Sequence, residues 1–395
     1  MERIPLKNNS TGQGLMLTTF AMLALGVVMV HSAVGTVSAP GHWYSRPDFR
    51  HTLFAALAAA VLGAGWLLDY HKLAAGKRWP WLATILLAAS LLSAGLVLVP
   101  GIGRSVGGFR RFIRLGPDQY AIGFQPSELI KFVLVIFLAA WLCRMDKDRV
   151  RRFVKTFIPA VIIMGLGVGV IVREDFSTGA VAGMAAALTL LLAGVPWYYM
   201  LTLVPPAAAG FWKLVYTDPY RWNRITAMFN PWDQSIPATY QARESLIAIL
   251  TGGWTGKGLG QGMQKLGFLP EDSSDFIYSV FCEEWGFVGA ALLMGLVLLW
   301  IWHARRAAVR AGDKFGAVLA GSLGFLIAIQ AVMHIAVALV MVPTTGMGLP
   351  FVSAGGTSLV ITAGAVAIMV SVTAHRATTP QEQLEQAAQA GAAAA

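Results

Sequence analysis

The sequence predicts an all-α integral membrane protein, with about ten transmembrane helices and a large extracytoplasmic loop between the seventh and eighth. Three observations carry this. The composition is 56% hydrophobic and only 13% charged, where a soluble domain carries about 25% charged residues. Apolar runs of about 20 residues, enough to cross a bilayer, recur along the chain. The Lys and Arg residues behind the net charge of +10 cluster in short connections between these runs, as residues that orient helices do. In a soluble protein that charge would suggest nucleic acid. Here topology accounts for it, and no nucleic-acid partner is expected.

Residues 1–14 are expected in the cytosol. The first run, LMLTTFAMLALGVVMVHSAV, is long enough to cross and stay as a helix rather than be removed as a signal. Spans are expected at roughly 15–38, 52–69, 80–99, 126–143, 156–172, 178–195, 197–213, 277–302, 315–341 and 357–374. Only Val195-Pro196 separates the sixth and seventh, which predicts a tight helical hairpin. With the N-terminus inside, just over half of the 30 basic residues fall on the inner side. Arg104, Arg110, Arg111 and Arg114 oppose that rule in one outer loop, GIGRSVGGFRRFIRLG, so this loop is expected to have another task. Residues 214–276 form the large loop. Its tryptophans and the amphipathic run QARESLIAIL suit an ordered cap at the interface with membrane lipid. Residues 15–375 make the membrane domain, and 376–395 a low-complexity cytosolic tail. Cys143 and Cys282 fall near opposite membrane faces, so no disulfide is expected.

Several motifs could carry chemistry. TGGWTGKGLGQGMQK fails the phosphate-loop spacing, because Lys257 is followed by Gly258 rather than Ser or Thr. Its glycines suit tight turns and close backbone approach, and Lys257 and Lys265 are candidates to face an anionic ligand. In GFQPSELIKF, Pro126 suits a first helical turn, and Glu128 and Lys131 share a face. They either pair to make both charges tolerable or line a polar cavity; intramembrane charge favours the cavity. In VREDFSTGA, Asp175 is either a helix cap or functional. VPTTGMGLPFVSAGGTSL, with Ser353 and Ser358, breaks the helical pattern at membrane depth. Such backbone must line a cavity or be buried in protein, and this segment is a candidate wall for a lipid-headgroup site. The seven histidines show no metal-ligand spacing, so a zinc site is not expected. His334 is read as a packing residue.

The densest charge lies in FLPEDSSDFIYSVFCEEWGFVG. Glu271, Asp272, Asp275, Glu283 and Glu284 crowd the mouth of the eighth span. Capping explains one or two of these acids but not five. Glu283 lies eight residues beyond Asp275, about 12 Å along a helix, and both Glu283 and Glu284 need partners or water. A boundary carboxylate can accept a proton, and cations across a cavity can hold a phosphate. Together they point to chemistry on a lipid-linked phosphate.

FRRFIRLG, FQPSELIKF, SLIAILTGGWTGKGLGQGMQKLGFLPE, SDFIYSVFCEEWGFVG and PTTGMGLPFVSAGGTSL occur in one order over roughly residues 15–375. In this the chain resembles the SEDS family (shape, elongation, division and sporulation), membrane glycosyltransferases that polymerise peptidoglycan. RITAMFNPW, QARESLIAI and Gln264-Lys265 resemble its division branch more than its elongation branch. The resemblance implies the polymerisation of lipid II, a disaccharide-pentapeptide on undecaprenyl pyrophosphate, with inversion at the donor. It implies Asp275 as general base, Arg111 (with Arg110 in support) at the phosphates, and Glu128 and Lys131 as the family's polar pair. It also implies a bacterial cytoplasmic-membrane location at the division septum, a class B penicillin-binding protein as transpeptidase partner, and other division proteins. No organic cofactor is implied; a divalent cation, Mg or Mn, between Asp275 and pyrophosphate is chemically open. Ser273-Ser274, Phe112, the turn EDFSTG and Ala354 depart from the family pattern, and put in doubt only the details of substrate or partner. A lipid II flippase and a non-catalytic scaffold are the alternatives. Charge collected at one face favours the enzyme.

Overall fold

The computed structural model describes residues 5–34, 46–76, 79–97, 99, 101–106, 109–114, 123–233 and 235–375. The expected N-terminal end (1–4) and cytosolic tail (376–395) lie outside the described residues. The helices in chain order are α1 (Ser10–Val34), α2 (Pro47–Ala64), α3 (Trp81–Leu96), α4 (Pro126–Leu142), α5 (Lys147–Val150), α6 (Ile158–Glu174), α7 (Phe176–Ala193), α8 (Val204–Phe211), α9 (Pro219–Phe229), α10 (Thr239–Gly252), α11 (Ile277–Val309), α12 (Lys314–Ala338) and α13 (Thr357–Ala374).

Seven stretches among the described residues are long and apolar enough to cross a membrane: α1, α2 with its following turn, α6 with the preceding turn, α7, α11, α12 and α13. Three of the expected spans differ. The third and fourth are helices of 16 and 17 residues. The seventh is not one helix: a 3-10 turn (Trp197–Leu203), α8 and a π turn (Trp212–Tyr216) follow one another. Pro205 and Pro206 at its middle remove two backbone donors, which rules out a continuous ladder. The large loop is ordered, as its composition predicted, because it folds into α9 and α10.

Local signals set the ends. Pro47 and Pro126 open α2 and α4, where a missing N–H leaves nothing unpaired. Asp175, Asp218 and Asp313 cap α7, α9 and α12 through backbone amides. Gly194, in the left-handed region, ends α7.

The bundle centre is α4, buried along nearly its whole length although it carries Glu128 and Lys131. It packs against α3, α6, α7 and α12; α1 packs against α2, α11 and α13. Burial on all sides is the reason α4 can hold charge: its polar atoms meet protein groups rather than lipid.

The arginine-rich loop is not irregular. It forms an antiparallel sheet of β1 (Gly103–Val106), β2 (Phe109–Arg114) and β3 (Gly123–Phe124). Arg104 pairs with Phe112 and Ser105 with Arg110, so Arg111 falls at the register shift. The side chains of Arg104, Arg110, Arg111 and Arg114 lie outside the described residues. The Thr357 hydroxyl donates to the Gly123 carbonyl (3.3 Å), tying β3 to the start of α13.

Candidate active site

Asp275 ends the connection that leads into α11, and it is half-buried. The turn before it closes on one carbonyl. Glu271, with φ 56°, accepts from the amides of Ser274 (3.2 Å), Asp275 (3.0 Å) and Phe276 (3.1 Å). A positive φ at a glutamate is strained backbone held by its surroundings. Here the surroundings are the broken segment 340–356. The Ala354 amide donates to Ser273 O (2.9 Å). Ser353 Oγ donates to Ser274 O (2.6 Å) and accepts from the Leu349 amide (2.7 Å). Both residues before Asp275 are thereby fixed to one turn. A Cβ added to Gly346 would lie 3.5 Å from Asp275 Oδ2, so the carboxylate sits beside this glycine.

Segment 340–356 is irregular at the end of α12, and its carbonyls need donors. Side chains supply them. Arg224 of α9 donates to Thr344 O (2.9 Å) while stacking over Tyr220. His334 meets Met347 O (2.8 Å), and Gln330 Nε2 donates to Gly348 O (3.3 Å). His334 is thus a buried residue with a structural bond, as its isolation in the sequence suggested.

Gln330 also joins this wall to α4. Lys131 Nζ donates to Gln330 Oε1 (3.0 Å) and pairs with Glu128 Oε1 (2.7 Å). The second Glu128 oxygen accepts from the Ser358 hydroxyl. The expectation of an open cavity around Glu128 and Lys131 is corrected accordingly. Lys131 is 1% and Glu128 8% exposed, and the geometry is a satisfied ion pair at a helix junction. Asp175 accepts from the Ser177 amide (3.0 Å) and the Thr178 amide (3.2 Å), which is the capping alternative.

Glu283 and Glu284 are placed differently from Asp275. α11 runs on as one element past both acids, but Gly286 has φ 65° and ψ −165°, so the helix is broken there. The glycine-rich loop enters the break. The amides of Lys257 and Gly258 donate to Glu283 O and Glu284 O (3.0 Å each), and those of Phe287 and Val288 donate to Gly253 O (2.9 Å) and Trp254 O (3.1 Å). The orphan groups of a broken helix are thereby satisfied by a second backbone. Gly256 makes this approach feasible: a Cβ there would lie 2.1 Å from Glu284 O.

Side chains lock the same junction. Lys257 Nζ pairs with Glu283 Oε1 (2.6 Å), and the amides of Met263 (2.9 Å) and Gln264 (3.1 Å) donate to the Glu283 carboxylate. Lys265 Nζ pairs with Glu284 Oε1 (2.7 Å) and donates to Ser32 O of α1 (3.0 Å). Both acids are buried, and so is Lys265. Lys265 therefore does not face a ligand, a correction with a simple cause: its charge is matched by Glu284. Lys257, partly exposed, is neutralised by Glu283.

Asp275 belongs to no set of three His, Cys, Asp or Glu ligand atoms among the described residues. An ion shared between Asp275 and a substrate pyrophosphate would need only one or two protein carboxylates. Nearby Asp272 is partly buried, and burial pushes its carboxyl up to about 6 against the pull of the Ser273 amide. Sequence reasoning missed Gln330, Arg224 and Ser32. Gln330 was visible as a lone amide inside an apolar span; the other two became relevant only through tertiary contact.

A polytopic helical bundle with a half-buried carboxylate, its turn mounted on the irregular segment between α12 and α13, defines a membrane-embedded protein with a polar site at that end. The Cell cycle protein family model (FtsW, RodA and SpoVE) matches residues 13–378, and the chain belongs to this family. It is 35% identical to the probable peptidoglycan glycosyltransferase FtsW of Geobacter sp. strain M18, covering 91% of this chain and 95% of that one. It is 36% identical to the protein of that name from Thioalkalivibrio sulfidiphilus, over 92% and 89%. Among solved structures it resembles a chain of a peptidoglycan synthase complex that coordinates polymerization and crosslinking, with TM-score 0.74, 25% identity, and coverage of 93% and 98%. It also resembles the crystal structure of the Rod shape determining protein RodA of Thermus thermophilus, with TM-score 0.63, 25% identity, and coverage of 93% and 97%.

Proposed function

We propose that this protein is a peptidoglycan glycosyltransferase that polymerises lipid II during cell division, with Asp275 as general base. The observation that carries this reading is the mounting of Asp275. Its two preceding residues are bonded to Ser353 and Ala354, and its carboxylate lies beside Gly346 in the irregular wall. A half-buried carboxylate at a membrane boundary, held in place through its neighbours' main chain, is suited to proton transfer.

In the proposed step Asp275 accepts the proton of the acceptor sugar's 4-hydroxyl. The oxygen then attacks the donor's anomeric carbon with inversion, and undecaprenyl pyrophosphate leaves with the bonding electrons. Leaving-group charge needs cations, and Arg111, in the sheet tied to the start of α13, is assigned to the pyrophosphate with Arg110 in support. Ser353 and Ser358 serve as supports of the wall and of Glu128. Lys257, Lys265, Glu283 and Glu284 hold the framework.

The same reading places ten crossings in the cytoplasmic membrane, with both termini cytosolic, at the septum. A class B penicillin-binding protein is the proposed partner; the likeness to a chain of a synthase complex supports it. A flippase would need charges open to a path through both leaflets, whereas Glu128 and Lys131 neutralise each other in the bundle centre. The test is polymerisation of purified lipid II, with and without the transpeptidase, by wild type and Asp275→Asn. Undiminished glycan from the variant would overturn the assignment.

A further inference from the structure

The end of the bundle opposite Asp275 carries a second constellation that polymerisation does not use. α13 starts at the Asp275 wall and runs about 27 Å to Ala374, where His375 follows. At that far end the turn after α2 brings Asp69 and His71 against it. Asp69, His71 and His375 each offer one ligand atom, and these atoms all lie within 4.8 Å of one another. No local spacing announces the group, since 304 residues separate the two imidazoles.

The cluster is held from beneath. Tyr70, between Asp69 and His71, is a buried plug: its amide donates to Ser371 Oγ (3.2 Å) and its hydroxyl donates to Asp313. Ser371 Oγ in turn donates to Leu68 O (2.8 Å). Asp69 accepts from the His71 amide (3.0 Å), which fixes the turn. His375 Nδ1 lies 2.9 Å from Ser371 O. A bond of that kind places the proton on Nδ1 and leaves the Nε2 lone pair for a metal, the usual support of a ligating imidazole. The two rings stand edge to face, 5.3 Å apart, so neither is stacked out of reach.

From this the geometry points to a Zn2+ site formed by Asp69, His71 and His375 at the end of the bundle remote from Asp275. Two imidazoles and one carboxylate are the donor set of a tetrahedral zinc centre with one position left to water. Ligand atoms around such an ion stand about 3.3 Å apart. His71 Nδ1 already lies 2.9 Å from Asp69 Oδ1, so a bound ion would replace that contact. Asp69 is exposed and His71 only half-buried, which leaves both side chains room to turn toward His375. A bound ion joins the α2–α3 connection to the end of α13 and closes a long loop of chain.

The test uses the full-length protein, purified in detergent through a tag without histidines, stripped with chelator and titrated with Zn2+ against a chromophoric competitor. One equivalent per chain is expected. His71→Ala and His375→Ala should each weaken it at least about 100-fold, while His31→Ala, remote from the cluster, leaves it unchanged. Saturating Zn2+ should raise the melting temperature of wild type but not of Asp69→Asn. Co2+ substitution of wild type gives an independent reading that needs no variant: a tetrahedral visible spectrum is expected. Binding well below one equivalent, an unchanged equivalent in the His71→Ala/His375→Ala double variant, or no tetrahedral Co2+ spectrum would each overturn the proposal.

Discussion

Two groups of acids in one short stretch meet opposite fates. Asp275 stands half-buried at the mouth of α11 beside a glycine, its backbone neighbours bonded to segment 349–354. Glu283 and Glu284, two turns further on, are buried and paired with the partly exposed Lys257 and the buried Lys265. The residue type is nearly the same, and the difference lies in what surrounds it. Carboxylates with two lysines and a second backbone around them hold a broken helix together. A carboxylate at the boundary, positioned through its neighbours' main chain, is the group that the proposed function assigns to the substrate hydroxyl. Charge in an apolar sequence therefore marks two different demands, and only packing tells them apart.

Exchanging the two roles tests the contrast most severely. Asp275→Asn is expected to lower polymerisation of lipid II by about 10² to 10⁴, roughly the share of a general base, with the melting temperature within a few degrees of wild type. A variant that is inactive only because it unfolds would place Asp275 with the framework acids. Lys265→Met is expected to do the reverse. It leaves Glu284 buried without its cation, at about 3–5 kcal/mol, read as a fall in thermal stability in detergent. Lys265→Met/Glu284→Gln should recover part of that loss, since no buried charge is then left over; a double variant no better than the single would sink the pairing argument.

A smaller change probes the mounting itself. Ser353→Ala removes the hydroxyl that bridges Leu349 and Ser274. The expected cost is about 1–3 kcal/mol, together with a fall in turnover larger than the change in substrate affinity, because Asp275 is positioned less well. Turnover equal to wild type would show that the turn does not position the base.

Asp272 gives the smallest effect, and it depends on pH. Burial raises its carboxyl to about 6, against about 3.9 in an unfolded chain. Between these values the folded form holds a proton that the unfolded form has lost, so stability falls as pH rises through the window, and the deficit persists above it. After allowance for solvent, Asp272→Asn should gain about 1 kcal/mol at a pH of about 7.5 and nothing at about pH 4. Melting curves of both proteins at the two pH values check this.

Hydropathy located the long helices, because a bilayer crossing needs about 20 apolar residues whatever they pack against. It overestimated 197–213, where Pro205 and Pro206 break an apolar run that is helical only in pieces. FRRFIR lacks the period-2 alternation of a strand, so the sheet that it forms was not legible there. At the candidate site the crowding of five acids stood out in sequence, and only the family resemblance singled out Asp275 among them. Glu283 and Lys257 also stood out, but their 26-residue separation concealed that they are partners.

The order of residues was enough to dictate the membrane class, the succession of helices, the proline that opens α4 and the crowding of acids before α11. These follow from local chemistry: apolar length, missing donors at proline, and carboxylates that bond nearby amides. Which charges neutralise one another was settled only when the chain folded. Lys131 reaches Gln330 across 199 residues of chain, Lys265 reaches Ser32 across 233, and His71 comes to face His375. A charge in low dielectric takes its role from the atoms within about 4 Å, and the chain's linear order does not contain those distances.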